Sequence, residues 1–242
     1  MYDTHHSAYV EDIPFWIAIA RRQSDLPVLE LGCGSGRVAI ALALAGCSVV
    51  GLDIDPEMLL VLQNRLEKFP NISLPFVQAD MTNFHLEQLF GAILLPCNTL
   101  SSFSTIARQN IFDQASNHLK PGGWFAASLP NPDYLRRLPT YAATEVEETF
   151  THPLDQEPVQ VSSGWKRAPD AFTVTWHYDH LLPDGRINRT SIQVKHSLDP
   201  VTIYQEQLEA AGLALREMYG DFDFSAFTAD SATLILVAQR AT

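Results

Sequence analysis

The decapeptide VLELGCGSGR, residues 28–37, and two acids downstream of it carry the first chemistry in this chain. An apolar strand that runs into a glycine-rich turn usually places backbone against a nucleotide, because glycine lets the main chain approach a ligand closely. The dinucleotide fingerprint G-x-G-x-x-G, counted from Gly32, needs its third glycine at position 37, which is Arg37. Gly36 falls one residue early and Glu30 stands two before the first glycine, so the local pattern is E-x-G-x-G-x-G. Asp53 closes the next apolar run, 21 residues after Gly32, where a carboxylate can accept from both hydroxyls of a ribose. Asp80-Met81 follows a third run, and offers an acceptor for an amine with an apolar neighbour. Each piece alone has a plain structural reading: a tight turn, a solvated strand end, a loop or cap acid. Their order and spacing within one βαβ unit favour a shared ligand site.

The elements that must position these residues are readable in the periodicity. Residues 10–22 have Ile13, Trp16, Ile17 and Ala20 at helical spacing, which predicts a helix laid on a sheet. Strands are predicted at 28–31, 48–52, 72–78, 91–95 and 124–129. Helices are predicted at 38–45, from Asp55-Pro56 onward, and at 106–119, with a turn at Pro121-Gly122-Gly123. This alternation requires a mostly parallel sheet with right-handed crossovers, whose carboxyl rim holds the ligand. After residue 140 the period changes to two. Residues 172–182 and 186–196 alternate around Pro183-Asp184-Gly185, and 158–168 pairs with them, forming an antiparallel block inserted into an α/β fold. A helix from Asp199-Pro200 to Ala211 and strands at 213–219 and 232–239 complete the chain.

Composition narrows the function. The 242 residues, 46% hydrophobic and 18% charged, suit one large domain, 1–242, with an insert at about 141–198. Formal net charge is −12, spread over both halves, so neither offers a basic face to phosphate backbones, and no nucleic-acid partner is expected. The weakly polar run at 38–54 is broken by Gly46 and Ser48 and reads as a helix entering a buried strand, with no membrane span. Cys33, Cys47 and Cys97 form no C-x-x-C pair and suit a reducing, cytoplasmic setting. No His/Cys/Asp cluster shows metal spacing, so no metal is expected.

ELGCGSGR, VVGLDIDPEML, FVQADMTNF and HLKPGGWFAASL resemble the successive motifs of class I S-adenosylmethionine-dependent methyltransferases over residues 28–130. The resemblance implies a Rossmann-like seven-stranded sheet of order 3-2-1-4-5-7-6 with the last strand antiparallel. It further suggests the small-molecule subgroup with an antiparallel insert after strand five. S-adenosyl-L-methionine would be the cofactor and S-adenosyl-L-homocysteine its product. Carried over by position, Gly32 and Gly34 lie against the methionine moiety, and Glu30 holds the turn or meets the amino group. Arg37 either approaches the methionine carboxylate or makes a structural salt bridge. Asp53 takes the ribose, Ile54 and Met58 flank adenine, Asp80 and the Met81 amide read it, and Pro96 sits beside the sulfonium. Tyr9 and Trp16 belong to a segment that would close as a lid, and YGDFDFSAF resembles the subgroup's closing loop. The family often has an acid where this chain has Gly91.

The acceptor is read from the same rim. Asn98, Tyr219 and Asp221, with Trp176 and His177 of the insert next in line, are the expected substrate residues. An acidic, aromatic pocket suits a small amine or another neutral or cationic metabolite. No catalytic side chain is assigned, because transfer from a sulfonium is an in-line displacement driven mainly by positioning. The competing readings are a nicotinamide-dependent oxidoreductase, disfavoured by Arg37 and by the Asp80-Met81 segment, and a non-catalytic S-adenosylmethionine-binding protein. The chain is expected to act as a monomer or homodimer.

Overall fold

Val28–Leu31 (β1) is buried at all four positions, a pattern that belongs to the centre of a parallel sheet covered on both faces. In the computed structural model, which describes residues 4–5 and 9–242, β1 pairs in parallel with β2 (Val49–Asp53) and with β4 (Phe90–Leu95). β3 (Phe76–Gln78) forms one edge beyond β2, and β5 (Leu119–Pro130) lies beyond β4. After the insert, β11 (Thr233–Arg240) runs antiparallel to both β5 and β10 (Leu213–Tyr219). The sheet order is β10-β11-β5-β4-β1-β2-β3. Counted along this sheet alone, that is the 3-2-1-4-5-7-6 order expected from the resemblance.

Helices cover both faces. α1 (Ile13–Ala20), α2 (Arg37–Leu44) and α3 (Pro56–Leu66) share one core with the sheet, containing Phe15, Trp16, Val38, Leu42, Leu59 and Leu62. α4 (Thr105–His118) and α6 (Val201–Ala210) build the other, through Ile111, Phe112, Tyr204 and Leu208. The short α5 (Pro132–Arg137) follows β5, and Asn131 caps it by accepting the Asp133 amide at 3.0 Å. Among the described residues no helix is long and apolar enough to cross a membrane; the 38–54 run divides into α2 and β2.

Three details depart from the sequence reading. The third strand shortens from 72–78 to three residues, because Pro75 has no amide to donate to a ladder. Pro121-Gly122-Gly123 does not leave the sheet. β5 runs through it, with Gly122 at φ +77° and a register shift opposite Phe90–Ala92. Gly91 stands where an acid was expected, and a Cβ there would meet Leu26 Cβ at 2.8 Å, so the site is closed to a larger side chain.

The insert is a four-stranded antiparallel meander, β6-β7-β8-β9: Tyr141–Thr151, Pro158–Arg167, Ala171–Leu181 and Ile187–Ser197. β6 was not anticipated. Nearly all its residues are exposed, so no apolar alternation marks it. Phe172, Val174, Trp176, Tyr178 and His180 share the inner face by alternation. Phe172 packs with Leu135 of α5 and with Leu198, and Tyr178 with Val159 and Val161 of β7.

Candidate active site

The glycine turn joins β1 to α2, and its members do different work. Gly36 adopts φ +85°, and a Cβ there would stand 2.3 Å from Leu62 Cδ1. The close packing that the dinucleotide fingerprint assigns to its third glycine is thus done one residue early, against α3. Gly34, at φ +52°, has a different environment. A Cβ there would have only Asp53 Oδ2 within reach, at 4.0 Å, so this glycine faces open space at the strand rim. Met81 is buried, and its Cε would lie 3.2 Å from a Cβ on Gly32, which places it over the turn.

Asp53 ties the first two strand ends together. Its Oδ2 accepts the Gly34 amide at 2.7 Å and its Oδ1 accepts the Asp55 amide at 2.9 Å. Each oxygen keeps acceptor capacity toward the rim. Asp55 caps α3 by accepting the Glu57 amide, beside Ile54, which is 61% exposed, and the half-buried Met58. An apolar side chain that exposed at a ligand rim offers a face for a flat ring. Asp80 is exposed, and its Oδ1 takes both the amide and the hydroxyl of Thr82 at 2.8 Å, so this oxygen is committed to the local turn.

Glu30 is buried at the end of β1, and its Oε2 has no hydrogen-bond partner. Burial pushes its carboxyl up to about 8, against the opposing pull of Arg37 and of the Ala39 amide. An unpartnered buried oxygen beside the open face of Gly34 is the kind of group that a ligand ammonium satisfies. The site therefore fits a nucleoside bearing a charged amino-acid tail.

Pro96 is buried where β4 ends, and Cys97 and Asn98 follow it at φ 61° and 60°. Two successive non-glycine residues in the left-handed region are costly and need outside support. Ser101 supplies it by donating to the Asn98 carbonyl at 2.8 Å. That bond uses the hydroxyl's one proton, so Ser101 accepts from His196 Nδ1 at 2.8 Å. His196 comes from β9, and burial lowers its pKa to about 4, which keeps it neutral. The insert thereby braces the rim.

Arg37 makes the structural salt bridge. Its guanidinium forks onto Asp12 at 2.5 and 2.7 Å and also donates to the Tyr9 carbonyl and to Cys97 Sγ. Tyr9 is partly exposed and lies under the guanidinium, 5.4 Å from ring centroid to Cζ. Trp16 is fully buried in the α1 core and donates to Asp12 at 2.9 Å. It is placed as packing, apart from Tyr9. Tyr219 lies edge-on to Phe15 and Phe224 and donates to Glu217 at 2.8 Å, while Asp221 accepts the Phe222 amide. Tyr219 therefore sits in the seam with α1, while Asp221 stands exposed on the loop that follows it.

A cleft of about 400 Å³ opens between the amino-terminal segment and the insert, lined by His5, Tyr9, Glu11, Glu147 and Glu148. Tyr9 joins it to the rim through Arg37 and Cys97. The register of β6 against β7 slips between Val146 and Glu148. Such a bulge turns consecutive side chains toward one side, and His5 Nε2 lies 3.3 Å from Glu148 and 3.9 Å from Glu147. His5 also contacts Tyr178, at 3.0 Å from Nδ1 to the hydroxyl. Trp176 shares the inner face of β8 with Tyr178. His177 lies on the outer face, 2.7 Å from Ser191. Sequence reasoning did not single out His5, Glu11, Glu147 or Glu148. The acid run TEVEET was the only available sign, and the bulge that aims it is invisible in sequence.

Residues 28–123 match the family profile described as a methyltransferase domain. That domain match, the sheet order and the glycine turn agree with the resemblance to class I S-adenosylmethionine-dependent methyltransferases. It superposes on a solved S-adenosylmethionine-dependent methyltransferase from Clostridium acetobutylicum with a TM-score of 0.82 at 16% identity, over 100% of this chain and 96% of that one. The CcbJ methyltransferase from Streptomyces caelestis shares 27% identity and a TM-score of 0.78, over 96% and 89% of the two chains. A cypemycin N-terminal methyltransferase from a Streptomyces species is 24% identical over 93% of this chain and 87% of its own. The nicotinamide alternative is set aside by this family match.

Proposed function

We propose that the chain transfers a methyl group from S-adenosyl-L-methionine to the nitrogen of a small amine. The carrying observation is the acidic cleft lined by Glu11, Glu147 and Glu148, whose Tyr9 is linked to the Cys97 rim through Arg37. Three carboxylates on an exposed cleft wall attract a cation and repel a carboxylate. The name of the cypemycin relative, an N-terminal methyltransferase, supports a nitrogen acceptor.

The cofactor, when bound, supplies an electrophilic methyl on a sulfonium. Gly32 and Gly34 would cradle its amino-acid tail, Glu30 would receive its ammonium, and Asp53 its ribose hydroxyls. Ile54 and Met58 would flank its base, with Asp80 and Met81 at its edge, and Pro96 would lie nearest the sulfur. The chain's own contribution is mainly to hold the acceptor nitrogen in line, an effect worth up to about 7–11 kcal/mol. The nitrogen attacks as a free base, so one proton leaves the acceptor. We assign that proton to Glu148, which has His5 beside it, and such a base adds about 10²–10⁴-fold.

The reading is tested by incubating the chain with methyl-labelled cofactor and a panel of matched amines, alcohols and carboxylic acids, with products identified by mass. Methylated amine is expected. Label only on oxygen acceptors would overturn the nitrogen assignment, and label on none, with S-adenosylhomocysteine still bound, would favour a non-catalytic cofactor-binding protein.

A further inference from the structure

Away from the cofactor rim, the tip of the β6–β7 hairpin brings together His152, Asp155 and His180. We propose that these three side chains form a binding site for a divalent transition-metal ion of the zinc or cobalt type. One donor atom from each lies within 4.8 Å of the others, the only such group of three among the described residues. His152 Nδ1 is 2.7 Å from Asp155 Oδ1. His180 Nε2 is 3.1 Å from Asp155 Oδ2 and 3.2 Å from Oδ1. The two imidazoles stack at 4.2 Å between centroids, with 28° between their planes, so their edges converge on the same carboxylate. No metal was expected from sequence, because His180 lies 25 residues beyond Asp155 and only the sheet register returns it.

The donor set suits the ion. Two imidazoles and one carboxylate are the three-ligand pattern that leaves one position to water. Metal–ligand bonds of about 2.0–2.2 Å in a tetrahedral site separate the donors by about 3.3–3.6 Å. The two histidine–carboxylate spacings are those of direct hydrogen bonds, and an outward shift of a few tenths of an ångström brings both pairs to the coordinated separation. Burial is graded: the side chain of His180 is 8% exposed, that of His152 15% and that of Asp155 43%. The open side is therefore the one that carries the carboxylate and admits water.

The backbone holds the local chelate ready. His152 donates its amide to the Glu157 carbonyl at 2.8 Å and accepts the Gln156 amide at 3.1 Å. Gln156 turns through φ +64°, and the Glu157 amide donates to Asp155 Oδ1 at 3.2 Å. His180 stands directly opposite Val159 on β8, just past this turn. A bound ion would fasten the β6–β7 hairpin to β8. Because β6 carries Glu147 and Glu148, it would also stiffen one wall of the acidic cleft. The metal site stands on its own geometry and does not depend on the methyltransferase reading.

The test uses the intact chain, stripped of metal with a chelator and titrated with Co²⁺ alone, with visible absorption and elemental analysis as readouts. One ion per chain is expected, with the d–d spectrum of a nitrogen- and oxygen-ligated centre. Asp155→Asn, on an exposed turn, and His180→Ala should each weaken Co²⁺ binding by about a hundredfold or more while circular dichroism stays that of the parent. Parent-like binding in a folded Asp155→Asn chain would overturn the site. So would a thiolate charge-transfer band, which would place the ion at Cys97 or another cysteine, or a parent chain that takes up no ion.

Discussion

Arg37 grips Asp12 with both terminal nitrogens, and through that grip α2 is fastened to the residue that precedes α1. Asp12 is 1% exposed, so its charge has no water to fall back on. Removing one partner of a buried pair leaves the other uncompensated, at a cost of about 3–5 kcal/mol. Arg37→Ala should lose stability on that scale in urea unfolding, and Arg37→Ala with Asp12→Ala should lose less than the sum of the two single changes. A loss below about 1 kcal/mol in Arg37→Ala would mean that the pair is effectively solvated.

Asp53→Ala should weaken S-adenosylhomocysteine binding by about 1.5–3 kcal/mol per lost charged hydrogen bond, read by calorimetry. The amides of Gly34 and Asp55 also lose their acceptor, so the chain should melt at a lower temperature as well. Asp53→Asn keeps one acceptor and should fall between. Parent-like affinity in Asp53→Ala would remove the carboxylate from the cofactor site.

Much of this arrangement is legible in sequence, and the limits are physical. β1, β2 and β4 are buried on both faces and announce themselves as mainly apolar runs, interrupted in β1 only by Glu30 and closed in β2 by Asp53, and the spacing from Gly32 to Asp53 follows from one βαβ unit. β6 is exposed on both faces and so carries no pattern. Trp16 has helical spacing that suits a lid or a core equally, and only its complete burial separates the two. The acidic cleft joins residues 5–11 to residues 147–148, contacts that no local rule supplies. Tyr219 and Asp221 lie on a loop leaving the expected rim, but the aromatic seam with Phe15 and Phe222 draws that loop toward α1.

Stability should respond to pH through two buried groups of opposite sense. Glu30 titrates at about 8 when folded, against 4.5 for an exposed carboxyl. Within that window the folded chain holds a proton that the unfolded chain has lost, so stability falls as pH rises. His196 titrates at about 4 when folded, against an ordinary 6.5, so below 6.5 the unfolded chain binds the extra proton and stability falls as pH drops. The two slopes oppose each other between about pH 4.5 and 6.5, and from 6.5 to about 8 that of Glu30 acts without opposition from His196. Each proton contributes at most about 1.4 kcal/mol per pH unit. Urea unfolding across this range should show Glu30→Gln flatter than the parent between about pH 6.5 and 8, and His196→Asn, left with the Glu30 slope alone, losing stability more steeply than the parent as pH rises from about 4.5 to 6.5. Unchanged slopes would mean that both groups titrate normally.

The last prediction separates the acceptor wall from its packing. Glu148 is exposed on the cleft, whereas the Tyr219 hydroxyl points at Glu217, which Arg22 also holds at 2.7 Å. Glu148→Gln keeps the shape of the wall and removes one charge. It should raise KM for an amine acceptor several-fold and lower kcat if the carboxylate also takes the proton, while leaving S-adenosylhomocysteine affinity unchanged. Tyr219→Phe removes only an exposed-edge hydrogen bond worth about 1 kcal/mol and should leave both KM and kcat near the parent. Glu147→Gln, one bulge position away, should behave as Glu148→Gln but more weakly, since it stands farther from His5. Kinetics with one amine at varied concentration and saturating cofactor decide the matter. A large kcat loss in Tyr219→Phe beside parent-like kinetics in both glutamine variants would move the acceptor from the insert cleft to the 219–224 loop.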